Sequence, residues 1–246
     1  MPLNAISEQL QRHERMCREQ VLSYPATRRM RYEWQVEAEA VMARLHPRPG
    51  LKVLDAGCGI GRLSLTALRS GAHVTSLDFA LRRLQYLRRH APSSAAPQLC
   101  QADLTRLPLR TRSWDAVVCT QVLEHIPQAV ERRKLLASFA RLLRPGGRLL
   151  LTVYNFSLAW QRRGQPSQGT HASGIFYHCY EPDELRAELE DFELLELCGL
   201  IHRLPRTYRL WPLLGPLGRH LDHRLERQPA RSQRHGQLLL AHARIR

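Results

Sequence analysis

The sequence VLDAGCGIGRLS, residues Val53–Ser64, combines three features that together predict a local structure. An apolar run ends at Asp55, glycines follow at positions 57, 59 and 61, and an amphipathic sequence begins at Arg62. Glycines directly after a strand let backbone N–H groups approach a ligand closely, and the positive end of the following helix points to the same place. The stretch therefore predicts a strand, a ligand-binding turn and a helix.

The residues around the glycines indicate which ligand the turn binds. The spacing G-x-G-x-G differs from the dinucleotide fingerprint G-x-G-x-x-G, because Arg62 stands where the third glycine of that fingerprint belongs. Asp55, two residues before Gly57, would repel a pyrophosphate and favour an ammonium or sulfonium group. An adenosine that carries an amino acid fits this turn better than NAD. A tight turn without any ligand is the alternative.

Strands and helices alternate from Leu51 to Tyr154. The strands are predicted at residues 51–55, 73–78, 98–101, 114–119 and 148–154. The helices between them are predicted at residues 62–70, 80–90 and 127–143, and in the second of these Leu81, Leu84 and Leu87 are expected to face the core. Because parallel strands need crossover connections, this alternation predicts a parallel sheet with helices on both faces.

Two segments flank this alternating region. Residues 1–46 indicate a helical segment that packs on the core, with one apolar face at helical spacing formed by Tyr32, Val36, Ala40 and Ala43. Residues 47–246 are predicted to form the main domain. Within it, residues 161–174 are polar and contain glycines, which predicts a mobile loop.

The C-terminal part of the main domain is predicted to complete the sheet. A helix should begin after Glu181, and two further strands are predicted at residues 192–198 and 237–243. A basic, Leu- and Pro-rich insertion near 201–234 lies between these strands. It is interpreted as a lid, as a surface that contacts a membrane and admits a lipid-like acceptor, or as a surface that follows RNA phosphates.

Composition limits the classes of protein that the chain can represent. Its 246 residues contain no run of eighteen apolar residues, so no membrane span is predicted, and the first residues show no apolar signal region. Six cysteines without C-x-x-C spacing favour a reducing, cytoplasmic location. The net charge is +15, but nearly all basic residues are arginines, which a GC-rich genome explains without a nucleic-acid site.

Two acidic residues follow later strands of the predicted sheet. Asp78 lies about twenty residues beyond the glycine turn, where a carboxylate binds a ribose diol in nucleotide-binding folds. Its alternative role is to cap the helix that starts near Ala80. Asp103 follows the third strand and is a candidate for the adenine amino group, or a cap for the turn around Thr105.

Four further segments extend the pattern into a family resemblance. Asp78, QADLTRLPL, WDAVVCTQVLEHI and LRPGGRLLLTVYN follow VLDAGCGIGRLS in the order typical of class I S-adenosylmethionine-dependent methyltransferases. Residues 53–154 resemble, more narrowly, the methyltransferase type 11/25 group. The resemblance implies a Rossmann-like α/β fold with a seven-stranded, mostly parallel sheet of order 3-2-1-4-5-7-6, whose last strand is antiparallel.

The resemblance also implies S-adenosylmethionine as the cofactor and suggests which residues bind it. The methionine moiety would lie at the glycine turn, formed by Asp55, Gly57, Cys58 and Gly59. The nucleoside would lie further along the edge of the sheet, against Asp78, Phe79, Asp103 and Leu104. Cys119 would border the cofactor after the fourth strand.

The candidate catalytic and acceptor-binding residues follow the fourth and fifth strands. Glu124 and His125 are candidates for a general base, which only a hydroxyl-like acceptor needs, or they cap and pack the next helix. Tyr177 and Tyr180, in the segment FYHCY, are candidates for a wall of the acceptor site or for a core edge. His171, His178 and Cys179 lack the spacing of metal ligands, so no metal site is predicted.

The function that these residues favour is S-adenosylmethionine-dependent methyl transfer to a small-molecule or lipid-like acceptor. An RNA (tRNA) methyltransferase is the alternative that the charge suggests. A non-catalytic S-adenosylmethionine-binding protein is a third hypothesis. The presence of Asp55, Gly57, Gly59 and Asp78 argues against it. The sequence does not indicate an oligomeric state.

Overall fold

A computed structural model describes residues 27–92, 96–107, 109–202 and 210–246. The first helical piece expected from the sequence, within residues 1–26, lies outside the described residues, as do residues 203–209 of the basic insertion. None of the helices in the described ranges has both the length and the apolar character that crossing a bilayer requires.

Helices and strands alternate along most of the described chain. In chain order the helices are α1 (Arg28–Leu45), α2 (Arg62–Arg69), α3 (Leu81–His90), α4 (Ala129–Leu142), α5 (Leu158–Gln161), α6 (Pro182–Glu188), α7 (Trp211–Leu214), α8 (Pro216–Glu226) and α9 (Pro229–His235). The strands are β1 (Lys52–Ala56), β2 (His73–Asp78), β3 (Gln98–Gln101), β4 (Trp114–Thr120), β5 (Leu143–Tyr154), β6 (Gln168–Thr170), β7 (Phe176–His178), β8 (Phe192–His202) and β9 (Gly236–Ile245).

Seven of these strands form one sheet, in the order β3-β2-β1-β4-β5-β9-β8. Strands β1 to β5 are parallel, and β9 is antiparallel to both of its neighbours, β5 and β8. Strands β6 and β7 pair only with each other, so β8 and β9 are the sixth and seventh strands of the sheet in chain order. The predicted fold and strand order are therefore confirmed.

The two faces of the sheet are covered by different helices. On one face α4 contributes Leu135, Leu136 and Phe139 to a fully buried core. On the other face α1 and α2 cover β1, β4 and the C-terminal strands. Strand β4 is buried along nearly its whole length, as expected of a parallel strand covered on both sides.

Helix α1 packs on the sheet through Tyr32, Val36, Ala40 and two residues not expected from the sequence, Val41 and Leu45. Ala43 was predicted to face the core, but it is exposed, because Val41 and Leu45 continue the buried stripe instead. The division of the chain at residue 46 stays a prediction.

Helix α1 is also joined to the insertion through Asp222 of α8. The Tyr32 hydroxyl donates to Asp222 Oδ2 over 3.1 Å, and the backbone N–H of His202 donates to Asp222 Oδ1 over 3.0 Å. All three side chains are buried. The described part of the insertion therefore packs on α1 and on the end of β8.

Two details of the predicted elements are wrong. Leu81 is 47% exposed, because one residue advances about 100° around a helix and carries Leu81 out of the stripe formed by Ala80, Leu84 and Leu87. Residues 161–174 include β6, which pairs with β7 in a hairpin of three residues per strand. Strands this short carry no alternation of polar and apolar residues from which they could be predicted.

Gly61 determines how closely α2 and α3 pack. Its φ is +82°, and a Cβ at this position would lie 2.2 Å from Cδ1 of the fully buried Leu87. Gly164 has a comparable φ of +64°, with no atom within 4 Å of its Cβ position.

We expect Gly61→Ala to lower the free energy of unfolding by about 1–3 kcal/mol more than Gly164→Ala, because both substitutions strain the backbone but only the first overpacks the core. Urea denaturation of the two variants measures the difference. Equal losses would mean that Leu87 moves aside without cost.

Candidate active site

The glycine turn is tied to the neighbouring strand β2. The backbone N–H groups of Gly57 and Cys58 both donate to the carbonyl oxygen of Leu77, over 2.8 and 2.9 Å. Gly57 has a φ of +79°, and a Cβ there would lie 2.4 Å from Cγ2 of Val122, which follows β4. Only glycine combines this backbone conformation with this close approach.

A cavity of about 620 Å³ opens at the carboxyl ends of the parallel strands, where open α/β sheets bind ligands. One end is lined by the turn and the nucleoside side of the sheet: Gly57, Cys58, Gly59, Asp78, Phe79 and Leu104. The other end is lined by His125, Tyr154, His171 and Ile175. This volume lies within the range of about 300–1,000 Å³ typical of small-molecule sites.

The structure shows Asp78 in the capping role, and its predicted ribose role stays a prediction. Its Oδ1 accepts from the N–H of Ala80 over 2.9 Å, which caps α3, and its Oδ2 accepts from the N–H of Gly59 over 2.8 Å. The residue also lines the cavity. Because a carboxylate has about four acceptor positions, two remain for a ligand diol. Burial raises the pKa of Asp78, and Arg83, 4.0 Å away, opposes this rise.

Asp55 lies beneath the glycine turn and does not line the cavity. Its Oδ2 accepts from the hydroxyl of Ser64 over 2.5 Å and from the N–H of the same residue over 3.1 Å. Burial raises the pKa of Asp55 to about 6, although the bonds from Ser64 and the nearby Arg62 favour the charged form. Asp55 therefore holds the start of α2 through its direct contacts, and its predicted effect on a ligand would have to act through space.

Three other predicted site residues, Asp103, Cys119 and Tyr180, do not line the cavity. Asp103 caps the 3₁₀ turn Leu104–Arg106, with its Oδ1 accepting from the N–H of Thr105 over 2.9 Å. Cys119 is fully buried in the core, because side chains alternate along β4, and the residues after it, Thr120 to Val122, line the cavity instead. Tyr180 is also fully buried, with its hydroxyl donating to Glu188 over 3.0 Å. The capping alternative describes Asp103 and the core-edge alternative describes Tyr180, whereas burial in the core was not expected of Cys119.

His125 and His171 form, with Tyr154, a cluster of rings at one end of the cavity. The ring centroids lie 5.7 Å apart for His125 and Tyr154, and 6.1 Å apart for Tyr154 and His171. His125 Nδ1 lies 2.9 Å from the carbonyl oxygen of Phe176, which selects the tautomer with a proton on Nδ1 and a lone pair on Nε2. Tyr177 lies behind this cluster, with its ring centroid 4.7 Å from that of His171.

Both histidines of the cluster are neutral near pH 7. Burial lowers the pKa of His125 to about 4, and it also lowers the pKa of His171. Glu124 next to His125 is fully buried, and burial raises its pKa well above the usual range. Its carboxyl group does not line the cavity, which favours the packing role among the two predicted for it.

Several residues that line the cavity were not predicted to do so from the sequence. His171 is in a segment expected to be mobile, and Trp34 belongs to α1, whose polar face carried no motif. Gln121 and Tyr154 lie at the ends of β4 and β5. Their position directly after predicted parallel strands is the signal that could have identified them.

A second cavity of about 270 Å³ adjoins the first. The two share Trp34, Gln121, Tyr154 and His171, and the second is closed further out by Trp160. Within the described ranges, no group of three or more His, Cys, Asp and Glu side chains is arranged to hold a metal ion.

The geometry of the larger cavity fits an adenosine that carries an amino acid. Positive φ angles at Gly57 and Gly59 bring the turn close to a ligand, and Asp78 offers free acceptor positions for a ribose diol. Arg62 and Arg83 supply positive charge on either side of the turn.

Comparison with known proteins gives the same indication. Residues 54–151 match the family model described as "Methyltransferase domain". Two relatives named ubiquinone biosynthesis O-methyltransferase show the likeness in sequence. The protein of Xylella fastidiosa is 37% identical over 115 residues, which are 46% of this chain and 46% of the relative. The protein of Xanthomonas oryzae pv. oryzae is 36% identical over 171 residues, which are 65% of this chain and 68% of the relative.

Solved structures show the same fold at lower identity. The 1,6-didemethyltoxoflavin-N1-methyltransferase of Burkholderia thailandensis, solved with S-adenosylhomocysteine bound, has a TM-score of 0.65 at 20% identity, over 100% of this chain and 91% of that chain. An S-adenosylmethionine-dependent methyltransferase of Mesorhizobium loti has a TM-score of 0.61 at 20% identity, over 85% of this chain and 97% of that chain.

We expect S-adenosylhomocysteine to raise the melting temperature of the protein, because a ligand that binds only the folded state stabilises it. NAD should cause no shift, since its pyrophosphate would lie against a turn that has Asp55 beneath it. Thermal shift measurements with each ligand test this. Stabilisation by NAD alone would contradict the choice of ligand.

Asp78→Ala should weaken the binding of S-adenosylhomocysteine by roughly 1.5–3 kcal/mol for each charge-assisted hydrogen bond to the ribose that is lost. Asp103→Ala is the matched control, because it also removes a cap but lies outside the cavity lining. Isothermal titration calorimetry measures both affinities. If the two variants bind equally well, Asp78 acts as a cap alone.

Proposed function

The chain belongs to the S-adenosylmethionine-dependent methyltransferase family, with S-adenosylmethionine as its cofactor, and we propose that it methylates a hydroxyl group on a small aromatic acceptor. The observation that supports this proposal is the ring cluster of His125, Tyr154 and His171 at the end of the cavity opposite the nucleoside residues.

Aromatic walls favour an aromatic acceptor. Rings pair edge-to-face or offset, at centroid distances of about 4.5–7 Å, and such pairs are more favourable than their buried area alone suggests. The adjoining cavity, bounded by Trp34 and Trp160, supplies more aromatic surface for the rest of the acceptor. The names of the two relatives, which are O-methyltransferases of ubiquinone biosynthesis, support oxygen as the atom that is methylated.

The residues of this chain position the acceptor and accept its proton. When bound, S-adenosylmethionine supplies a methyl group on a positively charged sulfur, which a nucleophile displaces in line. A neutral phenol is a weak nucleophile, so a base must take its proton as the oxygen reacts. His125 is neutral, lines the cavity and carries the lone pair on Nε2. We assign it the role of general base, with His171 and Tyr154 orienting the ring.

The insertion supports a lipid-like form of this acceptor. Four leucines on α7 and around it are between 44% and 56% exposed, namely Leu210, Leu213, Leu214 and Leu217. Basic residues follow them on α8, namely Arg219 and Arg224. An apolar patch flanked by arginines is the chemistry that an anionic membrane surface attracts. We infer that this leucine patch contacts membranes in which a lipid-like acceptor is dissolved.

The double variant Leu213→Ser/Leu217→Ser should reduce sedimentation of the protein with phosphatidylglycerol vesicles, because the apolar contribution to binding is lost. Leu195→Ser is the matched control, since Leu195 is 44% exposed on β8, away from the patch. Undiminished sedimentation would contradict the membrane contact. Nanomolar binding of bulk tRNA, abolished by the same variant, would assign the surface to RNA.

His125→Gln should lower kcat/KM for catechol, used as the probe acceptor, by about 10²–10⁴-fold, with little change in the affinity for S-adenosylhomocysteine. At saturating S-adenosylmethionine, which removes any effect of Asp55 (pKa about 6) on cofactor binding, the wild-type kcat should also stay level from pH 8 to pH 5. A base works above its pKa, and the pKa of His125 is about 4 instead of 6.5. A fall in rate centred on pH 6.5, or an unchanged rate for the variant, would exclude His125 as the base.

A further inference from the structure

Glu37 of α1 is a fully buried carboxylate with three side-chain donors from three other parts of the chain. Its Oε2 accepts from Arg62 Nη2 over 2.5 Å and from Gln121 Nε2 over 2.8 Å. Its Oε1 accepts from the hydroxyl of Thr152 over 2.6 Å. An ionised carboxylate is buried only where such partners neutralise it. The cluster joins α1 to the start of α2 and to the ends of β4 and β5.

Arg62 is held in one orientation by α1. Its Nη1 donates to the backbone oxygen of Trp34 over 2.6 Å, and its guanidinium carbon lies 5.8 Å from the centroid of the Trp34 ring. Two of the five guanidinium N–H groups are used by Trp34 and Glu37, which leaves three for a ligand. Arg62 lines the cavity, whereas Glu37 does not.

The charges around the cavity indicate what Arg62 binds. Among the described residues that line it, the cationic side chains are Arg62 and Arg83, since the two histidines are neutral. Arg83 lies at the end of the cavity where the nucleoside is expected, with its Nη1 4.0 Å from Asp78 Oδ2. Arg62 directly follows the glycine turn and lies on the other side, next to Trp34. At this corner the Arg62 guanidinium lines the cavity, whereas its partner Glu37 does not.

Gln121, which follows β4 and contacts Glu37, has a strained backbone conformation. Its backbone φ is +54°, in the left-handed region that residues other than glycine rarely adopt. The bond from its side chain to Glu37 and the bond from its N–H to the carbonyl oxygen of Thr152, 2.9 Å, hold it there. Strain of this kind persists where the surrounding structure imposes it, and it is concentrated at functional sites.

We propose that Arg62 binds a carboxylate, which we assign to the methionine end of the cofactor, and that Glu37 is the positioning residue that orients the guanidinium. Planar N–H pairs of arginine match carboxylate oxygens, and such charge-assisted bonds are stronger than neutral ones. The inference rests on the cofactor and not on the proposed acceptor. A carboxylate of the acceptor would have the same chemistry, so the experiment separates the two sources.

The experiment compares S-adenosylhomocysteine with its decarboxylated analogue, S-adenosyl-3-thiopropylamine, by isothermal titration calorimetry. The wild-type protein should bind S-adenosylhomocysteine about ten- to a hundredfold more tightly, because only this ligand carries the carboxylate. Arg62→Gln should remove most of this preference and leave the affinity for the analogue nearly unchanged. Arg83→Gln is the matched control and should weaken both ligands equally.

Two further variants separate binding from folding. Arg62→Gln leaves a buried Glu37 without its cation, whereas Glu37→Gln/Arg62→Gln removes both charges and avoids this cost. The double variant should fold and show the same loss of preference between the two ligands. Glu37→Gln keeps the arginine but releases its orientation, so it should lose part of the preference and raise the KM for S-adenosylmethionine while kcat stays unchanged.

Three outcomes would overturn the proposal in different ways. If Arg62→Gln weakens both ligands equally, Arg62 has only a structural role. If it weakens neither, but raises the KM for 3,4-dihydroxybenzoate and not for catechol, the carboxylate belongs to the acceptor and the cofactor assignment is wrong. If the wild-type protein shows no preference between the two ligands, no group of the site binds the carboxylate. Absence of catechol methylation would contradict the proposed acceptor and leave the calorimetry intact.

Discussion

A carboxylate removed from water needs donors that neutralise it, and at Glu37 this requirement shapes the opening of the cavity. The donors come from α2, from the segment after β4 and from β5, so one buried charge fixes the mutual position of four parts of the chain. Removing one partner of a buried pair commonly costs about 3–5 kcal/mol, a large share of a total stability of about 5–15 kcal/mol. The position of α1 over the cavity depends on this cluster.

The other acidic residues near the cavity differ in whether they line it. Asp78 lies at the cavity surface and keeps acceptor positions for a ligand while it holds Gly59 and caps α3. Asp55, one strand away, is bonded to Ser64 and does not line the cavity. Glu124 is fully buried, and burial raises its pKa well above the usual range. Depth therefore explains why three carboxyl groups on or just after neighbouring strands differ in what they contact.

The sequence predicted the features that depend on local order along the chain. The strand order and the cavity-lining position of Asp78 follow from periodicity and from the ends of parallel strands, and both agree with the structure. Cys119 and Tyr180 depend on which face a single side chain points to, and a shift of one residue turns a side chain to the other face. The pairing of Arg62 with Glu37, 25 residues apart, depends on how α1 packs, which no local pattern contains.

The contact between the glycine turn and Val122 has a consequence for how this sequence can diverge. A methyl group at position 57 would meet the Val122 side chain at 2.4 Å, on a backbone whose φ already disfavours any side chain. Position 57 therefore has no neutral substitution while valine remains at 122, and a smaller residue at 122 would remove only one of the two obstacles. During evolution, Val122 can be replaced by a smaller residue, but Gly57 cannot be replaced by a larger one. Substitutions at this pair of positions are therefore expected at 122 and not at 57.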